Sequence, residues 1–77
     1  MDTKHVGGNI RRIRQYQGLT QQVLADKVGV SRSMIQRIEN DSCIPKYDIM
    51  QRICYVLNVE LETLEKVLPK TFYYMSR

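Results

Sequence analysis

No apolar run in this 77-residue sequence approaches the roughly 20 residues that a membrane-spanning helix requires. The opening residues M-D-T-K-H-V-G-G-N lack the apolar core of a secretory signal, so a cytoplasmic protein without membrane contact is expected. Histidine is represented by His5 alone, and cysteine by Cys43 and Cys54, which form no C-x-x-C. That set is too poor for a zinc site, and two cysteines make no disulfide framework; both are read as reduced thiols. No phosphate-cradling glycine loop and no paired carboxylates are present, so neither an enzyme nor a cofactor, metal or small-molecule ligand is expected. Internal repeats and low-complexity segments are also missing.

What remains describes a small folded domain. Hydrophobic residues make up 43% and charged residues 26%, which excludes a wholly disordered chain. A chain this short builds only a modest core, so self-association would help it. The net charge of +4 is unevenly spread. Residues 1–37 hold seven Lys/Arg against Asp2 and Asp26, for +5, whereas residues 38–77 hold five against six acids, for −1. A basic half suits a polyanion, although charge alone fits a solvated basic surface equally well.

The spacing of apolar residues predicts helices throughout. Val6, Ile10 and Ile13, with Gln17 at the end, form one stripe of a helix over Val6 to Gln17, with a first turn weakened by Gly7 and Gly8. Gly18 suits the residue after its end. A second helix follows the N-cap Thr20, with Leu24, Ala25 and Val28 inward, and ends at Gly29. A third follows the N-cap Ser31. At about 100° per residue, Arg32, Ser33, Gln36, Arg37 and Asn40 share a polar arc. Met34, Ile35 and Ile38 share an apolar one, and Glu39 lies at the boundary. A fourth helix is expected over Lys46 to Leu57, with Tyr47, Met50, Ile53, Cys54 and Leu57 inward. A fifth is expected over Glu60 to Leu68, stopped by Pro69. The tail that follows has strand-forming residues, Phe72, Tyr73 and Tyr74.

The stretch Thr20 to Asn40, two short helices joined at Val28-Gly29-Val30, has the form of a helix-turn-helix. The major groove of DNA admits a helix, and its base edges call for long polar donors. Arg32 and Arg37 can each donate twice to guanine, Gln36 can pair with adenine, and Ser33 can bond several bases. Helix starts favour phosphate, which assigns Thr20 and Gln21 to the backbone on one flank and Asn40 and Lys46 on the other. Arg14 and Glu39 either pair across helices or remain solvated; the residues alone leave both open. Ile49, Tyr55 and Val56 make the fourth helix apolar on more than one side, which points to a dimer contact.

These residues resemble the Cro and phage-repressor type of helix-turn-helix proteins, the XRE family. The match runs from Asn9 to Leu64 and includes I-R-R-I-R at 10–14, G-L-T-Q at 18–21 and L-A at 24–25. It continues with V-G-V-S at 28–31, I-Q-R-I-E-N at 35–40, Pro45, L-N-V at 57–59 and L-E-T-L at 61–64. The resemblance implies an all-α, compact five-helix bundle of the lambda-repressor kind, with the third helix reading DNA. It implies that Arg32, Ser33 and Arg37 contact bases, that Gln21 and Asn40 contact the backbone, and that Arg14 pairs with Glu39. Two positions depart from the family. Val23 stands where it usually has Glu, so the capping box is lost. Asp41 stands where it often has Gly, at a cost of around 1 kcal/mol if the backbone there is left-handed. A domain over 1–69 and a tail over 70–77 are expected, the tail being a further candidate for the dimer contact. The expected function is a transcriptional regulator, repressor or activator, that binds a two-fold operator on double-stranded DNA as a homodimer. Alternatives are the antitoxin of a toxin–antitoxin pair and a protein-interaction module that has kept the fold.

Overall fold

The computed structural model of the protein describes residues 6–66. Among these the chain forms five helices and no strand: α1 (Val6–Tyr16), α2 (Gln21–Val28), α3 (Arg32–Glu39), α4 (Tyr47–Leu57) and α5 (Leu61–Glu65). The expected stop at Pro69 and the aromatic tail lie outside the described residues.

Each boundary has a local cause. Thr20 is extended, and its hydroxyl accepts from the Val23 amide at 3.1 Å; Ser31 does the same for the Met34 amide at 3.1 Å. Capping therefore persists at α2 although Val23 offers no reciprocal partner. Gly29 closes α2 with φ +88°, the left-handed conformation that glycine adopts at low cost. From there the amides of Gly29 and Val30 both reach the Ala25 carbonyl, at 2.8 and 3.0 Å. That turn sends the chain directly into the α3 cap. Asp41 and Asn58 follow α3 and α4 with φ of +59° and +58°, so left-handed residues other than glycine end both helices.

The inner faces meet in one core. Ile10, Leu24, Ile35, Ile38, Ile53, Leu57 and Leu64 are fully buried, drawn from all five helices. Burying a side chain of this size contributes about 1.5–3 kcal/mol. Ala25 is also buried, and its small side chain lets α2 and α3 cross closely. Two expectations are corrected. Tyr47, assigned to the inner stripe of α4, is 60% exposed: it begins the helix, before α4 has turned onto the core. The fifth helix is only five residues long, beginning at Leu61 and ending at Glu65, because Lys66 returns to extended backbone.

Two contacts stitch α1 to distant parts of the chain. Buried Asn9 donates its side-chain amide to the carbonyls of Leu64, at 2.9 Å, and Lys66. Gln17, just past α1, donates to the Leu57 carbonyl at 2.7 Å, so it serves α4 rather than the apolar stripe. Gly7 permits a close approach of α1 to α3. A Cβ there would lie 2.3 Å from the Ile38 carbonyl oxygen, where α1 meets the end of α3.

Candidate nucleic-acid interface

α3 is held by one face and open on the other. Ile35, Ile38 and Glu39 are buried, while Arg32, Ser33, Gln36 and Arg37 are exposed. This division follows from the helical repeat, which places residues three and four apart on one side. Arg32, Gln36 and Arg37 are long donors and Ser33 a short one, on an eight-residue helix whose position is set by its buried face.

Beside α3 lies an open cleft formed with α1 and the start of α2. Its lining includes Thr20, Gln21, Arg32, Gln36 and Asn40, together with Arg11. The cleft thus gathers residues assigned to bases and residues assigned to phosphate. Ser33 and Arg37 are exposed on α3 but are not among its lining residues, and neither is Lys46, the exposed N-cap of α4. Thr20 uses its hydroxyl for the α2 cap, as described above. Arg11 was not singled out in sequence as a candidate contact. Its outward position on α1 is readable, but which outward face lies beside α2 and α3 is decided only by packing.

Under the cleft sits a buried polar network. The Arg14 guanidinium donates from Nε to Glu39 Oε2 at 2.6 Å and from Nη2 to Glu39 Oε1 at 3.0 Å. Its Nη1 donates to the Leu19 carbonyl at 2.7 Å. The side chains are 9% and 1% exposed, so the pair is inside the fold. A two-pronged Arg–carboxylate pair fixes orientation as well as distance. Gln21 joins it, donating Nε2 to Glu39 Oε1 at 3.1 Å. The same carboxylate therefore orients α3 against α1 and holds the side chain at the start of α2. No sequence pattern announced the Gln21 contact, because the partners are 18 residues apart on different helices.

The residues assigned to a dimer contact divide by exposure. Tyr55 is 87% exposed, whereas Ile49 and Val56 are half-buried and pack against the core. Among the described residues, no group of His, Cys, Asp and Glu is arranged to hold a metal, and no helix is long and apolar enough to cross a membrane. Both cysteines are free thiols; Cys43 is half-buried, and burial pushes the Cys54 thiol pKa up.

The family described as helix-turn-helix matches residues 10–64. The Bacillus subtilis HTH-type transcriptional regulator YazB is 33% identical over 64 residues, covering 83% of this chain and 93% of that protein. Among solved structures, the restriction-modification controller protein C.AhdI from Aeromonas hydrophila superposes with a TM-score of 0.76 at 25% identity, over 82% of this chain and 96% of that one. SinR, a master regulator for biofilm formation solved in complex with DNA, gives 0.74 at 29% identity, over 79% and 98%.

Proposed function

We propose, since the chain belongs to the helix-turn-helix family of XRE-type DNA-binding transcriptional regulators, that it binds a two-fold DNA operator as a homodimer, inserting α3 of each copy into the major groove. The observation that carries this reading is the arrangement of α3, with Arg32, Ser33, Gln36 and Arg37 exposed along a helix whose other face is buried. In this reading those side chains contact base edges. Thr20 and Gln21 on one flank and Asn40 and Lys46 on the other contact phosphates and set the register. Residues 1–69 form the DNA-binding domain and residues 70–77 a separate tail.

No bond is made or broken in this mechanism. Lys and Arg displace counterions from phosphates, so affinity falls steeply with salt. Glu39 withholds Gln21 from free rotation, which lowers the entropy lost when its remaining amide proton meets a phosphate. Replacing Arg37 with Ala should cost about 1–3 kcal/mol at one base position and relax preference there. Replacing Gln21 with Ala should weaken all sequences alike. Selecting bound sites from random DNA with each variant checks both. An unchanged base preference for Arg37→Ala would remove that residue from the reading set.

One reading helix spans few base pairs, and half-sites one turn apart, about 34–36 Å, call for two. The domain measures 30 × 26 × 19 Å, a size at which adjacent copies address successive turns. We assign the contact to Tyr55 with the neighbouring Ile49 and Val56, since a nearly uncovered tyrosine is a favourable interface anchor. Without DNA, the chain should sediment as a dimer at high micromolar concentration, and Tyr55→Glu should sediment as a monomer. A monomer in both cases would discard this interface.

A further inference from the structure

We propose, building on the DNA-binding reading above, that Arg11 on α1 is a further DNA-contacting residue, which grips one backbone phosphate together with Gln21 in the cleft between α1, α2 and α3. The three arginines of α1 have different surroundings. Arg14 is buried and committed to Glu39 and the Leu19 carbonyl. Arg12 is exposed and lies outside the cleft lining. Arg11 is exposed, lines the cleft and, among the described residues, pairs with no carboxylate. It precedes Arg14 by three residues, so both project from one side of α1, and the Arg14–Glu39 pair shows that this side faces α3.

The charge of the cleft selects an anion. Its lining carries three arginines, Arg11, Arg14 and Arg32, against one carboxylate, Glu39, which leaves a net charge of +2. Glu39 is 1% exposed and accepts twice from Arg14, so its charge is compensated beneath the surface and does not repel a phosphate above it. The uncompensated cations are Arg11 and Arg32. Arg32 begins α3, the helix that occupies the groove. Arg11 stands beside that helix on another one, so it meets the sugar–phosphate row at the groove edge. Gln21 completes the site. Its Nε2 donates one proton to Glu39 Oε1 at 3.1 Å, and the second remains for a phosphate oxygen. A guanidinium presents paired planar donors that match phosphate oxygens. A contact of this kind sets the register of the domain on the duplex and reads no base.

Binding of the full chain to a labelled duplex carrying its selected site is measured over roughly 50–200 mM salt for wild type, Arg11→Gln, Arg11→Lys and Arg12→Gln. Each lost phosphate contact lowers the salt slope by about 0.9, so the affinity deficit of Arg11→Gln should shrink roughly 3- to 4-fold per bound copy across that range. Its base preference and unfolding midpoint should match wild type, because the side chain is exposed and its contact is to phosphate. Arg11→Lys keeps the charge and should keep the wild-type slope, and so should Arg12→Gln. A neutral methylphosphonate, moved one position at a time along the half-site, should weaken wild type at a position where Arg11→Gln is indifferent. A wild-type slope for Arg11→Gln overturns the proposal. Equal flattening by Arg12→Gln also overturns it, because the effect is then diffuse charge, and so does a methylphosphonate series without the indifferent position. In those three outcomes wild type still binds and the DNA-binding reading stands, whereas a wild type that binds no duplex defeats that reading and the proposal together.

Discussion

Replacing Arg14 with methionine should lower the free energy of unfolding by about 3–5 kcal/mol, the cost typical of leaving a buried charge without its partner. Glu39 is the group left behind. Its side chain is 1% exposed, and two of its three donors come from Arg14. Gln21 alone cannot replace a guanidinium, and the Leu19 carbonyl loses its partner at the same time. Small domains are stable by about 5–15 kcal/mol, so the variant should lie near its folding limit. Urea unfolding followed by circular dichroism reads this as a lower midpoint. The double variant Arg14→Met, Glu39→Leu should recover much of the loss, because a well-packed apolar pair is often as stable as a buried ion pair. A recovered fold would still have lost the carboxylate that holds Gln21. DNA affinity should therefore stay reduced in the double variant although stability returns. Equal stability of Arg14→Met and wild type would mean that the pair is solvated in solution.

Neighbouring glycines on α1 should respond to alanine with opposite signs. At Gly7 a Cβ would meet the Ile38 carbonyl oxygen at 2.3 Å and the Asp41 carboxylate oxygen at 2.5 Å. The carboxylate can rotate away, but the carbonyl belongs to the backbone of α3 and can move only with the helix. Gly7→Ala should therefore cost about 1–3 kcal/mol, as overpacking does, and valine more. At Gly8 a Cβ would meet nothing within 4 Å. There alanine removes backbone freedom from the unfolded chain at no steric cost, and stability should rise by about 0.5–1 kcal/mol. Thermal unfolding of the two single variants separates them directly. A gain at both positions would show that α1 can withdraw from α3 without penalty. The consequence for function lies in the same contact. α1 touches α3 at Gly7 and again through Arg14 and Glu39, so contacts from both ends of α1 fix the C-terminal end of α3.

The proposed interface follows from this bracing. A helix that reads base edges must be placed to within a fraction of an ångström, and surface side chains cannot do that for themselves. Here the buried Ile35, Ile38 and Glu39 position α3, and the caps Thr20 and Ser31 set where α2 and α3 begin. Truncating Arg37 tests the reading face, whereas Arg14→Met tests its support. The two are distinguishable, because only the second should lower the unfolding midpoint.

Much of the fold was legible along the chain because its causes are local. The apolar spacing of Ile10 and Ile13, the caps Thr20 and Ser31 and the break at Gly29 act within a few residues, and each could be read without knowing what lay opposite. The polar arc of α3 was legible for the same reason, since helical geometry alone separates Arg32, Gln36 and Arg37 from Ile35 and Ile38. Tyr47 was misjudged because periodicity cannot say which turn of a helix first reaches the core. Gly7 and Gly8 looked alike, two poor helix formers in one turn, and only the position of the Ile38 carbonyl distinguishes them. Asn9 and Gln17 gave no local signal of their bonds to Leu64 and Leu57, partners 55 and 40 residues away. By itself, then, the sequence determined the order of the five helices, the caps that begin α2 and α3 and which face of α3 is polar. The tertiary structure decided which outward faces adjoin, and so brought Arg11, Gln21, Arg32 and Gln36 to one cleft with Glu39 beneath it. The physical reason is range: propensity, capping and periodicity act over a helical turn, whereas packing and buried hydrogen bonds depend on residues that only the folded chain brings together.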